Sequence, residues 1–268
     1  MPRKRKRSFV GRLLVILLLA LAAGIGFNFI YPDVSTLKKE NPKKTAFMKY
    51  REREWEKSGK PYKVNQKWVP LGAISPFLIK AVLIGEDDKF WQHEGFDYEA
   101  MQKAIEKDIK AKKFKLGGST ISQQLVKNLY LSPSKNPIRK LREAVITYRM
   151  EKTIAKKRIL ELYLNVAEWG DRGIFGIEAA ARHYYGKSAA MLGPEEASRL
   201  ASVLPNPRKF DPLGSSKYVV NRSGLIYNIM VRRGIVVPEY EQINEGAQEA
   251  GEKEAGPPPV EETKPASQ

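Results

Sequence analysis

From Leu13 to Ile30 the chain runs through about 18 residues of almost unbroken apolar character, LLVILLLALAAGIGFNFI. A helix of that length crosses the hydrocarbon core of a bilayer at the short end of the range. A cleaved signal peptide is the competing reading, because its apolar core is shorter and closes on small residues such as Ala20, Ala22 and Ala23. Phe27, Phe29 and Tyr31 stand where an interfacial aromatic belt belongs, and they favour an uncleaved anchor. Basic residues flank both ends. Arg3, Lys4, Arg5, Lys6, Arg7 and Arg12 come before the run, and Lys38, Lys39, Lys43, Lys44 and Lys49 come after it. The denser cluster is N-terminal, so the expectation is a basic cytoplasmic tail over 1–12, an anchor over 13–31 and an exported remainder.

Beyond the anchor the apolar periodicity is helical, with no convincing strand alternation, internal repeat or metal-ligand cluster. Residues 32–61 are rich in Lys, Glu and Arg, with Met48, Tyr50 and Trp55 at helical spacing. They read as a juxtamembrane connector near anionic headgroups. Ser75 followed by Pro76 starts a helix whose stretch Phe77–Ile84 is apolar nearly all round and should be buried. If that helix continues past Gly85, then Glu86, Phe90 and His93 share one face. Tyr98 to Ala111 forms an amphipathic helix. Ile138, Leu141, Val145 and Tyr148 mark the apolar stripe of a later one. Thr153 is placed to cap a helix over Ala155–Val166, whose packing stripe is Ile159, Leu160, Tyr163 and Leu164. A small-residue helix ending at Gly186, a helix from Pro194 and a last one over Tyr218–Val231 complete the run. The Glu, Gly and Pro-rich residues 245–268 are expected to be disordered.

Three places carry chemistry. In LGGSTISQQLVKN, Gly117 and Gly118 free the backbone and Ser119 or Thr120 caps the helix that begins there. Thr120, Gln124 and Lys127 then share a polar face, while Ile121, Leu125 and Leu129 share an apolar one. The polar face and the helix N-terminus suit a phosphate or pyrophosphate, although an ordinary capped surface helix has the same pattern. In EDDKFWQH, Glu86 closes a greasy helix, where desolvation can raise a carboxylate into the range of a general base. In RKLRE, Arg139, Lys140 and Arg142 crowd Glu143, as a surface salt-bridge network or as the wall of an anion site. The formal net charge of +17 points to an anionic partner, and the absence of cysteine excludes disulfides and thiolate metal sites. The charges cluster around acids and amides instead of alternating with aromatics, which argues against nucleic acid.

EDDKFWQHEGFD, GGSTISQQLVKN, RKLREAVITYRMEKTIAKKRILELYLN, GIFGIEAAARHYYGKSA and LASVLPNPRKFDP, in that order, closely resemble the peptidoglycan glycosyltransferases of glycosyltransferase family 51. The resemblance implies a mostly α, lysozyme-like, two-lobed glycosyltransferase domain over 62–244, with a hydrophobic edge at the membrane. It implies polymerisation of lipid II into β-1,4-linked glycan with release of undecaprenyl pyrophosphate. The implied address is the bacterial inner membrane, single-pass, with the domain on the periplasmic side. Its partners would be lipid II, the growing glycan strand, membrane lipid and other wall-synthesis proteins.

By position in the motifs, Glu86 matches the family's first catalytic glutamate and Glu143 the second. Asp87, Phe90 and His93 match the rest of the first motif. Ser119, Thr120, Gln124 and Lys127 match the polar face beside the pyrophosphate, continued by Lys135, Arg139, Lys140 and Arg142. Arg222 in the last helix is set loosely against a further basic residue. No cofactor is required by the resemblance, although it allows a divalent cation, Mg or Mn, beside the leaving group. Ala155 stands where relatives commonly carry a capping serine. A lysozyme-type wall hydrolase is the alternative, but neutral glycan does not call for a basic wall.

Overall fold

Helices supply most of the core. The computed structural model describes residues 3–27, 30–110, 118–133 and 136–237, and among them there are ten α-helices and no strand. They are α1 (Arg3–Phe27), α2 (Ala46–Lys57), α3 (Pro76–Glu86), α4 (Tyr98–Lys110), α5 (Ile121–Tyr130), α6 (Pro137–Thr153), α7 (Lys156–Val166), α8 (Ile177–Tyr185), α9 (Pro194–Val203) and α10 (Lys217–Arg232). Met1–Tyr227 form one compact unit, which holds α1 to α9 and most of α10. In the second, Asn228–Gln268, the turn after α10 closes with the Ile235 N–H donating to the Met230 carbonyl at 3.0 Å. Lys135 and residues 245–268 lie outside the described residues.

The centre of the first unit is α5, which packs against α2, α6 and α7. Its expected apolar face, Ile121, Leu125 and Leu129, is buried. So is the expected stripe of α7, Ile159, Leu160, Tyr163 and Leu164. Each such aliphatic side chain contributes about 1.5–3 kcal/mol of burial free energy. Helix α3 presses Leu78, Ala81 and Val82 inward and packs along α9, whose Ala197, Leu200 and Ala201 are buried. Ser75 and Pro76 start α3 as expected, but the Ser75 hydroxyl donates to the Leu192 carbonyl at 2.6 Å instead of capping the helix. Thr153 ends α6 instead of capping α7, whose N-cap is Ala155 with no side-chain bond.

The stripe expected on α6 is turned the other way. Ile138 (56%), Leu141 (43%) and Tyr148 (51%) are exposed, and the buried face is Glu143, Ile146, Thr147 and Met150. Both sets have helical spacing. The charge on Glu143 makes the second set look polar in sequence, and neutralisation by Arg139 and Lys140 removes that obstacle to burial.

The segment after α1 is tied to this core. Arg149 on α6 donates to the carbonyls of Pro32 (2.9 Å) and Ile30 (3.0 Å), and Arg158 on α7 donates to that of Leu37 at 2.8 Å. In α2, Met48 and Trp55 pack with Phe175, and Arg51 grips both oxygens of Glu168 at 2.9 Å. Part of the expected connector is therefore core. Helix α1 ends at Phe27, short of Ile30, and every side chain from Leu13 to Leu19 is exposed. Among the described residues no helix is long and apolar enough to cross a membrane.

Candidate active site

Glu86 is the last residue of α3. The chain leaves the helix at Asp87, with φ −163° and ψ 74°, so Glu86, Phe90 and His93 do not share a helix face as expected. The segment beyond it forms a junction between α3 and α5. Asp87 Oδ2 accepts the Ile121 N–H at 2.9 Å, placing a carboxylate at the positive end of α5. Asp87 Oδ1 lies 2.9 Å from His93 Nε2, and His93 Nδ1 accepts the Gly95 N–H at 3.1 Å, so the ring proton sits on Nε2 and points at Asp87. Phe90 is fully buried, with the Lys156 ammonium 4.3 Å from its ring centre. Asp87, Phe90 and His93 therefore each have protein partners at this junction, and Asp87 also lines a cavity beside Glu86.

The junction turns on Gly95, at φ +92°, whose carbonyl accepts the Thr120 hydroxyl at 2.7 Å. A Cβ here would lie 2.9 Å from Glu151 Cγ and 3.0 Å from Thr147 Cγ2. Gly95→Ala is expected to lower stability by about 1–3 kcal/mol, read as a lower urea midpoint at unchanged slope. An unchanged midpoint would show that the junction relaxes without cost.

Thr120 caps α5 in a reciprocal box. Its oxygen accepts the Gln123 N–H at 3.3 Å, and its own N–H donates to Gln123 Oε1 at 3.0 Å. With the helix start fixed, Gln124 and Lys127 face α3. Gln124 Nε2 donates to Glu86 Oε2 at 2.9 Å, and Gln124 Oε1 accepts the Tyr163 hydroxyl at 3.0 Å. From α10, Arg222 Nη2 donates to the Gly85 carbonyl at 2.7 Å and reaches Glu86 Oε1 at 3.3 Å. The Glu86 side chain is 8% exposed. Burial pushes its carboxyl above the ordinary glutamate range, and the Gln124 N–H and the charges of Arg222 and Lys127 pull it only part of the way back. Lys127 is displaced in the opposite sense: burial lowers its ammonium pKa, Glu143 and Glu86 raise it, and Arg139 and Lys140 lower it further. No counter-charge closes on it among the described residues.

On α6, Glu143 is 2% exposed, paired with Arg139 at 2.8 Å and with Lys140. Lys140 also donates to the Ser119 hydroxyl at 3.3 Å, which joins α6 to the start of α5. Arg142 is exposed on the same helix. Two cavities meet this assembly. One, of about 240 Å³, is lined by Glu86, Asp88, Asp97, Ser119 and Thr120. The other, of about 180 Å³, is lined by Arg51, Gln124, Lys127, Tyr163, Glu168 and Arg208. Among the described residues no group of three His, Cys, Asp or Glu side chains is placed to hold a metal ion.

The structure brings Glu86, Gln124 and Lys127 together and places Ser119, Arg139, Lys140 and Glu143 in one charged network beside them. Sequence reasoning assigns Tyr163 to packing alone. A tyrosine inside a fully buried stripe needs a partner for its O–H, and that is the available signal. Arg222 carries no local signal for its position beside Glu86, far away in the chain.

Residues 52–231 match the family model described as Transglycosylase. The chain is 51% identical over 186 residues to a protein of Dechloromonas aromatica (strain RCB), covering 69% of this chain and 80% of the relative. It is 47% identical over 195 residues to one of Nitrosospira multiformis, covering 73% and 84%. It is 44% identical over 217 residues to one of Janthinobacterium sp. (strain Marseille), covering 81% and 90%. All three relatives are named biosynthetic peptidoglycan transglycosylase.

Proposed function

The chain belongs to the transglycosylase family, and on that premise we propose that Glu86 is the general base of its glycosyl transfer. The protein is a peptidoglycan glycosyltransferase of cell wall synthesis, with lipid II and the growing glycan strand as substrates. The acceptor sugar's 4-hydroxyl attacks the donor's anomeric carbon and gives its proton to Glu86. The bond from that carbon to the pyrophosphate oxygen breaks, and its electron pair leaves with the lipid pyrophosphate. An α-linked pyrophosphate thereby becomes a β-1,4 bond, so the reaction inverts and needs no covalent enzyme intermediate. A base working near neutral pH needs a raised carboxylate, and the burial of Glu86 at the edge of a cavity is the observation that carries this assignment. Lys127, short of a counter-charge, steadies the departing pyrophosphate, with Arg139, Lys140 and Arg142 completing the basic wall. Glu143 holds that wall in register as an assistant in the donor site. A lysozyme-like two-lobed arrangement belongs to the same reading.

Purified protein incubated with lipid II is expected to yield polymer that muramidase digests. Cleavage of preformed glycan without polymerisation would establish the hydrolase alternative instead.

Membrane attachment through α1 is the companion proposal, supported by the seven consecutive exposed apolar side chains from Leu13 to Leu19 and by the lipid tail of the substrate. The chain is expected to stay in the membrane fraction after high-salt washing with its N-terminus at or near Met1. Protease added from the exported side should reach the catalytic domain. A mature N-terminus between Ala23 and Asn28 would overturn the anchor, and protection from external protease would reverse the topology.

A further inference from the structure

Glu86 has one close hydrogen bond from a neutral group, the Gln124 amide, and that amide has a second neighbour of its own. A primary amide is ambivalent. Turned one way it offers N–H to the carboxylate; rotated by half a turn it offers the carbonyl oxygen, which suits only a protonated acid. Nothing within Gln124 decides between the two.

Tyr163 decides. Its ring is 1% exposed, and its O–H, held in α7, donates to Gln124 Oε1 at 3.0 Å. Rotation of the amide would face that O–H with an NH₂ group and leave a buried donor without an acceptor, an arrangement buried polar groups avoid. We propose that Tyr163 is a positioning residue for the glycosyl transfer, acting through Gln124 to keep the amide N–H, and not its carbonyl, turned to the Glu86 carboxylate. The proposal rests on Glu86 being the base. It is not a proton relay, since the amide between the two residues has no titratable proton to pass on. Burial raises the phenol's own pKa well above its ordinary value, so Tyr163 remains a donor throughout the working range.

The other groups around Glu86 do not do this job. Arg222 of α10 approaches the opposite oxygen at 3.3 Å. Lys127 of α5 acts only through its charge. Asp87, next in the chain, is already bonded to His93 and Ile121. From α9, the atoms nearest Gly85 are the Ala201 carbonyl oxygen and Cβ, neither of which can donate a hydrogen bond.

The test is the pH profile of lipid II polymerisation by Tyr163→Phe, run beside wild type and Glu86→Gln. The substitution removes one oxygen and keeps the ring. Losing the orientation of one hydrogen bond to the carboxylate should move the acidic limb of kcat to higher pH by about 0.5–1 unit. KM for lipid II should stay within about twofold, because the change acts on the base and not on binding. In a Gln124→Leu background, adding Tyr163→Phe should move the limb no further, since Tyr163 acts only through the amide. An unmoved limb in Tyr163→Phe, with only a loss of thermal stability, overturns the proposal and leaves Tyr163 as packing. A Glu86→Gln chain that polymerises normally overturns the base assignment instead, so the two failures are distinguishable. If Tyr163→Phe does not fold, 3-fluorotyrosine at position 163, a stronger O–H donor of nearly the same size, should move the limb to lower pH. No movement there also overturns the proposal.

Discussion

Glu86→Gln is expected to reduce lipid II polymerisation by about 10²- to 10⁴-fold, the usual consequence of losing a general base, while lipid II still binds. The substitution keeps the size of the side chain and its reach to Gln124 but cannot take the acceptor's proton. The same variant should be more stable than wild type at neutral and alkaline pH, because the sign of the pKa shift requires it. Burial raises the folded-state pKa of Glu86 above the ordinary value of 4.5. Below that value both folded and unfolded chains carry a neutral carboxyl, and the two proteins should melt alike. As pH rises toward the folded-state pKa, wild type must ionise a desolvated acid and loses stability, whereas the variant does not. Melting curves from pH 4 to 8 should therefore diverge upward in favour of Glu86→Gln. Near-normal turnover in that variant would dismiss Glu86 as the base and make Asp87 the next acid to test.

Lys127→Ala is the second large effect. A charge-assisted hydrogen bond to a buried phosphate is worth about 1.5–3 kcal/mol, so turnover should fall by roughly 10- to 150-fold. Stability should not fall with it. The Lys127 pKa is lowered by burial, so the free protein holds an ammonium it has desolvated without a closing counter-charge, and removing it relieves that cost. Lost activity with an unchanged or raised melting temperature is the signature expected of a group kept for an incoming anion. Unaltered turnover would show that Lys127 has no part in binding pyrophosphate.

Legibility in the sequence tracks the range of the interaction. Thr120 announces the start of α5 because a capping box closes within three residues, and Ser75–Pro76 announces α3 because proline's φ is set by its own ring. The stripe of α7 can be read because nothing in it is charged. On α6 the same reasoning selects Ile138, Leu141 and Tyr148, since a glutamate in the rival stripe argues against burial. Arg139 and Lys140 lift that prohibition, and their reach to Glu143 is a matter of geometry that spacing only half encodes.

Torsions, caps and apolar periods act within a turn or two. Residue order therefore suffices to make this chain helical, to start and stop most of its helices, and to set acids, amides and bases at motif spacing. The task of each of those groups is assigned only when distant segments pack. The helix stops at Glu86, and that sends Asp87 and His93 into the junction with α5 and leaves the glutamate facing Gln124. The closing of α7 and α10 on that spot then supplies Tyr163 and Arg222. A carboxylate's pKa depends on how much water remains around it and which charges approach from elsewhere in the chain. That is a property of packing, and no local pattern of residues contains it.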